Sequence, residues 1–274
     1  MDLSSAATLN NGVIMPWLGL GVWRSAPGHE TEQAVRWALE IGYRHIDTAK
    51  LYENESDVGK ALRASGVPRE SVFITTKVWN SDQGYARTLK AFDESRRKLG
   101  LDVVDLYLVH WPITGKFPDT WRALEKLYAD GKIRAIGVSN FRIHHLEELL
   151  AGCSVIPAVN QVEFHPLLVQ KELLAYDAVK GIRQEAWAPL ARGRVFGNPV
   201  LLSLAKKYGK SPAQIVLRWD LQLGVASIPK SVHRERIEEN SRIFDFELSL
   251  PDLEALSSLD AGERIGWHPD KVTG

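Results

Sequence analysis

The sequence has almost no capacity for covalent cross-links, because Cys153 is the one cysteine among its 274 residues. A single cysteine excludes an intramolecular disulfide, which is typical of a protein from a reducing compartment. A chain of this length can bury a large core without such cross-links. A lone cysteine can be a nucleophile, but this residue type is more often a small buried hydrophobic side chain, and we interpret Cys153 in that way.

An excess of one sign of charge is also lacking, since 34 basic residues balance 34 acidic ones. General nucleic-acid and anionic-membrane binders draw their affinity mainly from excess Lys and Arg, so we expect neither partner. No run of about 18 apolar residues occurs, so no segment is predicted to span a membrane. The first residues lack the basic and then apolar stretch of a signal peptide, so we expect a cytoplasmic protein. The balanced charge favours a monomer.

Motifs of several common enzyme classes are missing. Gly19 and Gly21 are followed by Arg24 where the Rossmann dinucleotide fingerprint has its third glycine. The metalloprotease motif H-E-x-x-H, the pair C-x-x-C and the hydrolase motif G-x-S-x-G are also absent. These absences remove the most familiar nucleotide, zinc and serine-hydrolase sites.

The sequence does contain a regular alternation of short apolar runs and longer helical patterns. The eight predicted strands are 18–23, 44–48, 72–78, 104–110, 133–139, 158–162, 182–187 and 224–228. The eight predicted helices are 30–41, 55–65, 84–99, 120–130, 144–150, 170–179, 212–221 and 235–242. Glycines such as Gly42 and Gly100 follow several helix patterns, as is common at helix C-termini.

The strand candidates are nearly continuous apolar runs, such as VVDLYLV and IRAIGV, which suit parallel strands buried on both faces. Eight βα units without a long linker predict one α/β domain over 1–274, a (β/α)8 TIM barrel. An open, doubly wound sheet is the competing arrangement. Asn11-Gly12 predicts a hairpin over 7–14 that plugs the N-terminal end of the barrel. Residues 249–262 predict an extra helix, and 263–274 a loop-like tail.

Polar residues at the strand ends are candidates for the site, because the loops after the strands form it in such barrels. Asp47 ends the second strand, Tyr52 follows it, and Lys77 and His110 end the third and fourth. Each alone would more often be structural, but the four converge on one rim. A phenol has a pKa of about 10, and a nearby ammonium favours the phenolate, so we expect Lys77 to lower the pKa of Tyr52. The set fits proton delivery to an oxygen that is becoming an alkoxide.

Six segments carry a more specific resemblance: GYRHIDTAKLYENESDVGKAL, FITTKVWN, DVVDLYLVHWP, IGVSNF, NQVEFHP and IPKSVHRERIEEN. In this order and over nearly the whole chain, they resemble the aldo-keto reductase family. The closing segment 264–272 is similar to that of its bacterial 2,5-diketo-gluconate reductase-like group. The resemblance implies NADPH-dependent reduction of aldehydes and ketones. It assigns the catalytic roles to Asp47, Tyr52, Lys77 and His110, with Tyr52 as the general acid, Lys77 paired with Asp47, and His110 orienting the carbonyl.

The resemblance also implies a set of cofactor-binding residues. Ser139, Asn140 and Gln161 would hold the nicotinamide amide, and Trp187 would stack on the ring where the family often has Tyr. Basic residues near a helix N-terminus would bind the 2′-phosphate, which favours NADPH over NADH. His233 stands where related members have other residues, including Arg. The full set is Gly21, Val22, Trp23, Asp47, Ser139, Asn140, Gln161, Trp187, Ala188, Pro189, Leu190, Lys230, Ser231, Val232, His233, Arg236, Glu239 and Asn240.

Aromatic residues near the strand ends predict the wall of a substrate pocket, which favours planar or partly apolar carbonyl compounds. Trp267 of the tail is a further candidate for this wall. The loop 112–119 and the tail are short, so we expect an open pocket of broad specificity. The expected substrate-binding residues are Trp23, Tyr52, Trp79, His110 and Trp111.

Two other hypotheses use the same rim. In a metal-dependent hydrolase, a divalent ion would bind to Asp47, His110, Glu163 and His165. Against it, no H-x-H pair closes the first strand, and Lys77 would lie among the ligands. In a reductase-like scaffold without turnover, NADP(H) would be only a regulatory ligand, but the intact set of acid, phenol, ammonium and imidazole argues against lost chemistry.

Overall fold

The computed structural model describes residues 2–273, so Met1 and Gly274, which end the predicted domain and tail, lie outside the described residues. Eight parallel strands form its main sheet, one at each predicted strand, and two more form a hairpin. The strands are β1 (Ala6–Thr8), β2 (Ile14–Pro16), β3 (Leu20–Gly21), β4 (His45–Asp47), β5 (Phe73–Val78), β6 (Val104–Val109), β7 (Ile133–Ser139), β8 (Val159–Glu163), β9 (Arg183–Trp187) and β10 (Ala226–Ser227).

The main sheet closes on itself to form a barrel. Strands β3 to β10 pair in chain order. Between the first and last strands, the Gly19 N–H donates to the Ser227 carbonyl at 2.9 Å, and the Gly21 N–H donates to the Pro229 carbonyl at 3.2 Å. A Cβ on Gly21 would lie 2.8 Å from the Ile228 carbonyl oxygen, so glycine permits this close approach. The predicted TIM barrel is confirmed, and the open sheet is excluded.

Helices surround the barrel, and none within residues 2–273 has the length and apolar character needed to cross a membrane. All eight predicted helices are present, with shifted ends. The helices are α1 (His29–Ile41), α2 (Glu55–Ala64), α3 (Tyr85–Leu99), α4 (Phe117–Ala129), α5 (Ile143–Leu150), α6 (Lys171–Val179), α7 (Pro199–Tyr208), α8 (Pro212–Gln222), α9 (Arg234–Ser241) and α10 (Leu250–Ser257).

Helix α7, which lies between β9 and α8, is an element that was not predicted. Its signals are local: the Asn198 side chain caps the helix by accepting from the Val200 N–H, Pro199 is its first residue, and Gly209 ends it in a left-handed conformation. The predicted helix over 212–221 is present as α8, and the Ser211 hydroxyl caps it by accepting from the Gln214 N–H. The predicted helix over 249–262 is shorter in the structure, where it is α10.

The hairpin of β1 and β2 covers the end of the barrel at which the strands begin, as predicted. Its strands pair Ala7 with Met15, and five residues connect them instead of the two-residue turn expected at Asn11-Gly12. Leu9 and Met15 are buried with Leu106 and other side chains of the barrel interior. The tail is a loop, as expected, apart from one short 3-10 turn at Pro269–Lys271.

Both faces of the barrel strands are buried, which explains their continuous apolar runs. On β6, Leu106 and Leu108 face the barrel interior, where they belong to the same buried cluster as the hairpin side chains. Tyr107 and Val109 belong to the layer between barrel and helices, where the Tyr107 ring packs edge-on against Phe92 at 5.2 Å. Burying one such aromatic side chain contributes about 2–3 kcal/mol. Cys153 is half-buried against this layer.

Candidate active site

Lys77 lies at the centre of a polar cluster where β4 and β5 end. Its Nζ donates to Asp47 Oδ1 at 2.6 Å and Oδ2 at 2.8 Å, to the Thr48 carbonyl at 2.9 Å, and to the Tyr52 hydroxyl at 3.3 Å. Asp47 and Lys77 meet because they end neighbouring parallel strands. A short 3-10 turn at Lys50–Tyr52 brings the phenol back over Lys77. Three of the four predicted catalytic residues are therefore in direct contact.

Burial and charge act in opposite directions on this cluster. Burial disfavours the ammonium of Lys77, but Asp47 and Tyr52 outweigh it, so the pKa of Lys77 is raised and it stays charged. Burial raises the pKa of Tyr52 to about 12, although the charge of Lys77 lowers it. The expected net lowering of the Tyr52 pKa is therefore wrong for the protein alone. The reason is that desolvation of a phenolate in this enclosed position exceeds the attraction of one ammonium.

His110 is the fourth member of the predicted set and lies beside Tyr52. The two rings are edge-on at 5.8 Å. Burial, and then the charge of Lys77, hold the pKa of His110 well below its usual range. The imidazole is therefore neutral near neutral pH, and a neutral imidazole has one N–H with which to donate. Trp79 packs edge-on against His110 at 5.1 Å.

Side chains of β7, β8 and β9 interlock with this cluster. The Gln161 Nε2 donates to Asp47 Oδ2 at 2.8 Å and to Glu185 Oε2 at 2.6 Å. The Trp187 Nε1 donates to Asn140 Oδ1 at 2.8 Å, which fixes the plane of the indole. The Asn140 Nδ2 in turn donates to the His110 carbonyl at 3.0 Å. With the Gln161 N–H groups so engaged, its Oε1 is the atom left to accept from a bound amide.

These residues surround a cleft of about 490 Å³ at the carboxyl ends of the strands, a volume within the range of small-molecule sites. Four of the predicted substrate-binding residues line it: Trp23, Tyr52, His110 and Trp111. The predicted cofactor-binding residues that line it are Gly21, Trp23, Asp47, Ser139, Asn140, Gln161, Trp187, Ala188, Pro189, Leu190 and Lys230.

The other predicted residues are not among those that line the cleft. Val22 is fully buried in the core, and Trp79 is partly exposed and packs edge-on against His110, which does line it. The remaining cofactor candidates follow β10 and lie on or just before α9. They are Ser231, Val232, His233, Arg236, Glu239 and Asn240.

Arg24 and Arg192 also line the cleft, although neither was predicted as a site residue. Their guanidinium carbons lie 4.4 Å and 4.9 Å from the centre of a Trp23 ring. The backbone φ is positive at both, 59° at Arg24 and 51° at Arg192, so their side chains point where a strand or helix pattern does not place them. They add two positive charges to a cleft in which Lys230 was the predicted one.

The alternative metal set is not assembled. Asp47 is engaged by Lys77 and Gln161, and Glu163 pairs with His165 at 3.1 Å on the far side of the rim. Within residues 2–273, the one group of three side chains spaced for a metal ion is His144, His145 and Asp270. It lies outside the cleft, and Arg142 pairs with the same Asp270.

Comparison with known proteins gives one consistent result. The model of the Aldo/keto reductase family matches residues 17–261. The chain is 56% identical over 271 residues to the glyoxal reductase of Bacillus subtilis (strain 168). These residues are 99% of this chain and 98% of that relative. It is 48% identical over 270 residues to the methylglyoxal reductase DkgA of Salmonella typhimurium, covering 97% of each.

Solved structures agree with this assignment. A mutant of Gox0644 in complex with NADPH superposes with a TM-score of 0.94 at 41% identity, covering 98% of this chain and 99% of that one. The resemblance carried by the six motifs is confirmed: the chain belongs to the aldo/keto reductase family and is an oxidoreductase that acts on carbonyl groups.

Proposed function

We propose that this protein reduces aldehydes and ketones to alcohols with NADPH, and that Tyr52 supplies the proton. The observation that carries the proposal is the buried contact of Lys77 with both Asp47 and the Tyr52 hydroxyl, at the floor of a cleft. NADPH is the cofactor, and when bound it supplies the hydride. The chain itself must hold the cofactor, orient the carbonyl and deliver the proton.

The proton step follows from the charges around Tyr52. As hydride reaches the carbonyl carbon, the carbonyl oxygen becomes an alkoxide, a much stronger base than a phenolate. Tyr52 keeps its proton until then, because its pKa is about 12. Lys77, held in its charged form by Asp47, stabilises the phenolate that remains. His110 is neutral and donates one hydrogen bond that orients the oxygen. In the reverse direction, the Tyr52 phenolate takes the proton from the alcohol.

The residues around the cleft fit the two ends of the cofactor. The Gln161 Oε1 is available to accept from the nicotinamide amide, with Ser139 and Asn140 beside it, and Trp187 offers a fixed indole face for the ring. Lys230, Arg24 and Arg192 supply positive charge where the phosphates would lie. The adenosine end would lie against the start of α9, where the Arg236 side chain is exposed.

Trp23 and Trp111 give the substrate end aromatic walls with few polar anchors, so we infer a broad range of aldehydes and ketones. We also infer that the enzyme acts as a monomer in the cytoplasm. Light scattering of the purified protein and fractionation of cells measure these two properties.

The proposal is tested by replacing Tyr52 with Phe, which removes the proton donor and keeps the ring. With NADPH oxidation followed at 340 nm on a panel of aldehydes, we expect kcat to fall at least about 100-fold, the range of general acid catalysis. Tyr176→Phe on α6 is the matched control, because it removes a phenol outside the cleft, and it should keep the wild-type rate.

Near wild-type turnover by Tyr52→Phe would overturn the proposed proton donor. A wild-type protein that binds NADPH but reduces no carbonyl compound would favour the regulatory scaffold instead. Nucleotide binding, measured separately by fluorescence titration, distinguishes a loss of chemistry from a loss of cofactor.

A further inference from the structure

The C-terminal tail crosses the open end of the barrel and forms part of the cleft. Ile265, Gly266 and Trp267 line the same cleft as Tyr52 and His110. The Trp267 ring lies 5.8 Å from that of Trp111, at an angle of 41°. Yet Trp267 is 60% exposed, so packing against the body of the protein does not by itself hold it there.

The tail is held by a buried carboxylate at the end of β8. Glu163 is fully buried. Its Oε1 accepts from the Ile265 N–H, and its Oε2 accepts from the Gly266 N–H at 3.1 Å. His165 Nε2 lies 3.1 Å from Oε1, and the Arg264 guanidinium lies 3.6 Å from Oε2. Burial raises the pKa of Glu163, but these hydrogen bonds outweigh it and the pKa is lowered, so both oxygens are acceptors.

Gly266 brings this anchor into contact with the site. A Cβ there would lie 2.4 Å from Trp187 Cη2 and 3.2 Å from Glu163 Oε2, so only a glycine can pass between the two. The next residue, Trp267, is therefore placed by the anchor directly before it. Farther along the tail, Asp270 pairs with Arg142 and lies 3.5 Å from His145 Nε2. Trp267 thus lies on a short span between two fixed points.

We propose that Glu163 is a positioning residue for substrate selection: it fixes the tail so that Trp267 completes an aromatic wall with Trp111. This inference rests on the proposed carbonyl reduction at the same cleft. Glu163 touches neither Tyr52 nor Lys77, so its effect falls on the fit of the substrate and not on proton transfer. A pocket-filling aromatic aldehyde contacts this wall, whereas a two- or three-carbon carbonyl compound is too small to need it.

The first experiment compares Glu163→Gln with Glu263→Gln. A glutamine keeps the shape, but its Nε2 cannot accept, so one of the two tail N–H groups loses its partner. Glu263 is an exposed carboxylate of the same tail and serves as the matched control. For a substituted benzaldehyde, we expect Glu163→Gln to raise KM roughly 3- to 10-fold, the effect of losing one aromatic contact. Its kcat should change little, and Glu263→Gln should match the wild type.

A small dicarbonyl compound provides the internal reference, since its KM and kcat should be the same in all three proteins. If Glu163→Gln lowers kcat for both substrates, or leaves the benzaldehyde KM unchanged, the inference is overturned. If the wild type reduces neither substrate, the proposed function fails instead. Circular dichroism and thermal unfolding of each variant show whether the barrel is intact.

The second experiment is a double-mutant cycle that combines Glu163→Gln with Trp267→Ala, in which the Trp267→Ala single variant leaves the anchor unchanged. If Glu163 acts through Trp267, the single and double variants share the same raised KM for the benzaldehyde, and the two effects do not add. Additive effects would mean that Glu163 acts on the cleft by another route and would overturn the inference. Quenching of the Trp267 fluorescence by acrylamide should also increase in Glu163→Gln, measured as the difference from the Trp267→Ala background.

Discussion

Arg236 illustrates how one exposed residue can carry the choice of cofactor. It lies on α9 and is exposed, without an ion pair among residues 2–273. A 2′-phosphate gains more from such a free guanidinium than a 2′-hydroxyl does. We therefore expect Arg236→Ala to raise the KM for NADPH roughly 10-fold, the effect of one lost charge-assisted hydrogen bond, with little change for NADH. Initial rates with each cofactor at a saturating aldehyde concentration measure this.

Arg234 is the control for this prediction. It belongs to the same helix turn, but its guanidinium is paired with Glu40 at 2.8 Å. Arg234→Ala removes the same charge from α9, but its guanidinium is not free to bind a phosphate. The KM values for both cofactors should therefore change less than about 2-fold. Equal losses for NADPH and NADH in Arg236→Ala would show that this residue does not bind the 2′-phosphate.

For the catalytic residues, the sequence predicted which side chains are in contact but not the pKa that results for Tyr52. Asp47, Lys77 and His110 end successive strands, and the carboxyl ends of parallel strands share one edge, so their proximity follows from the strand pattern. The pKa of Tyr52 depends on how much water the fold removes, and no spacing contains that information. The burial of Val22 in the core and the edge-on contact of Trp79 with His110 likewise depend on the folded chain and not on local spacing.

Among the elements, all eight barrel strands were predicted, whereas helix α7 was not. β5 and β6 are buried along their whole length, and each was predicted to within one residue at either end. Helix α7 has start and stop signals at its ends, in Asn198-Pro199 and Gly209, but no element was predicted over its residues. The positive φ at Arg24 and Arg192 belongs to neither a strand nor a helix, so no periodic pattern identified them as residues of the cleft.

The close packing of α2 against α3 predicts that Gly59 cannot be replaced without loss of stability. Gly59 lies in α2, and a Cβ on it would come within 2.2 Å of the Leu99 carbonyl oxygen. Backbone cannot move aside as a flexible side chain can, so the helices must separate. We expect Gly59→Ala to lower the free energy of unfolding by about 1–3 kcal/mol despite the better helix propensity of Ala. Urea denaturation followed by circular dichroism measures this.

Gly152→Ala is the matched control for Gly59→Ala. No atom lies within 4 Å of the added Cβ there, and the backbone is not in the left-handed region. The same substitution should therefore leave stability within about 0.5 kcal/mol of the wild type, or raise it slightly through the unfolded chain. A similar loss in both variants would mean that the close approach of α2 to α3 is not what requires Gly59.

For the whole molecule, the least predictable contacts are those that join distant parts of the chain. Glu163 and Gly266 meet across 103 residues, and nothing local at either position indicates the other. Glu163 was a candidate metal ligand in the sequence because it ends a strand at the rim of the barrel. In the structure, its carboxylate accepts from backbone N–H groups of the tail. Barrel closure depends on the same long-range geometry, but eight repeated units indicate it in the sequence.

Folding of the whole molecule also buries a carboxyl group between α6 and the barrel, that of Asp177, which contacts Asn160 of β8. Burial raises the pKa of the Asp177 carboxyl to about 8, although Asn160 donates to it at 3.1 Å.

The Asp177 carboxyl ionises at about pH 3.9 in the unfolded chain. Between that pH and pH 8, unfolding therefore releases a proton, and the free energy of unfolding falls as the pH rises. We expect Asp177→Asn to remove part of this slope and to be more stable than the wild type at pH 8 by at least about 2 kcal/mol. The measurement is the free energy of unfolding in urea at pH 5 and pH 8. Asp102→Asn, at a fully exposed position, should keep the wild-type slope, and an unchanged slope in Asp177→Asn would show that this carboxyl is ionised in the folded protein.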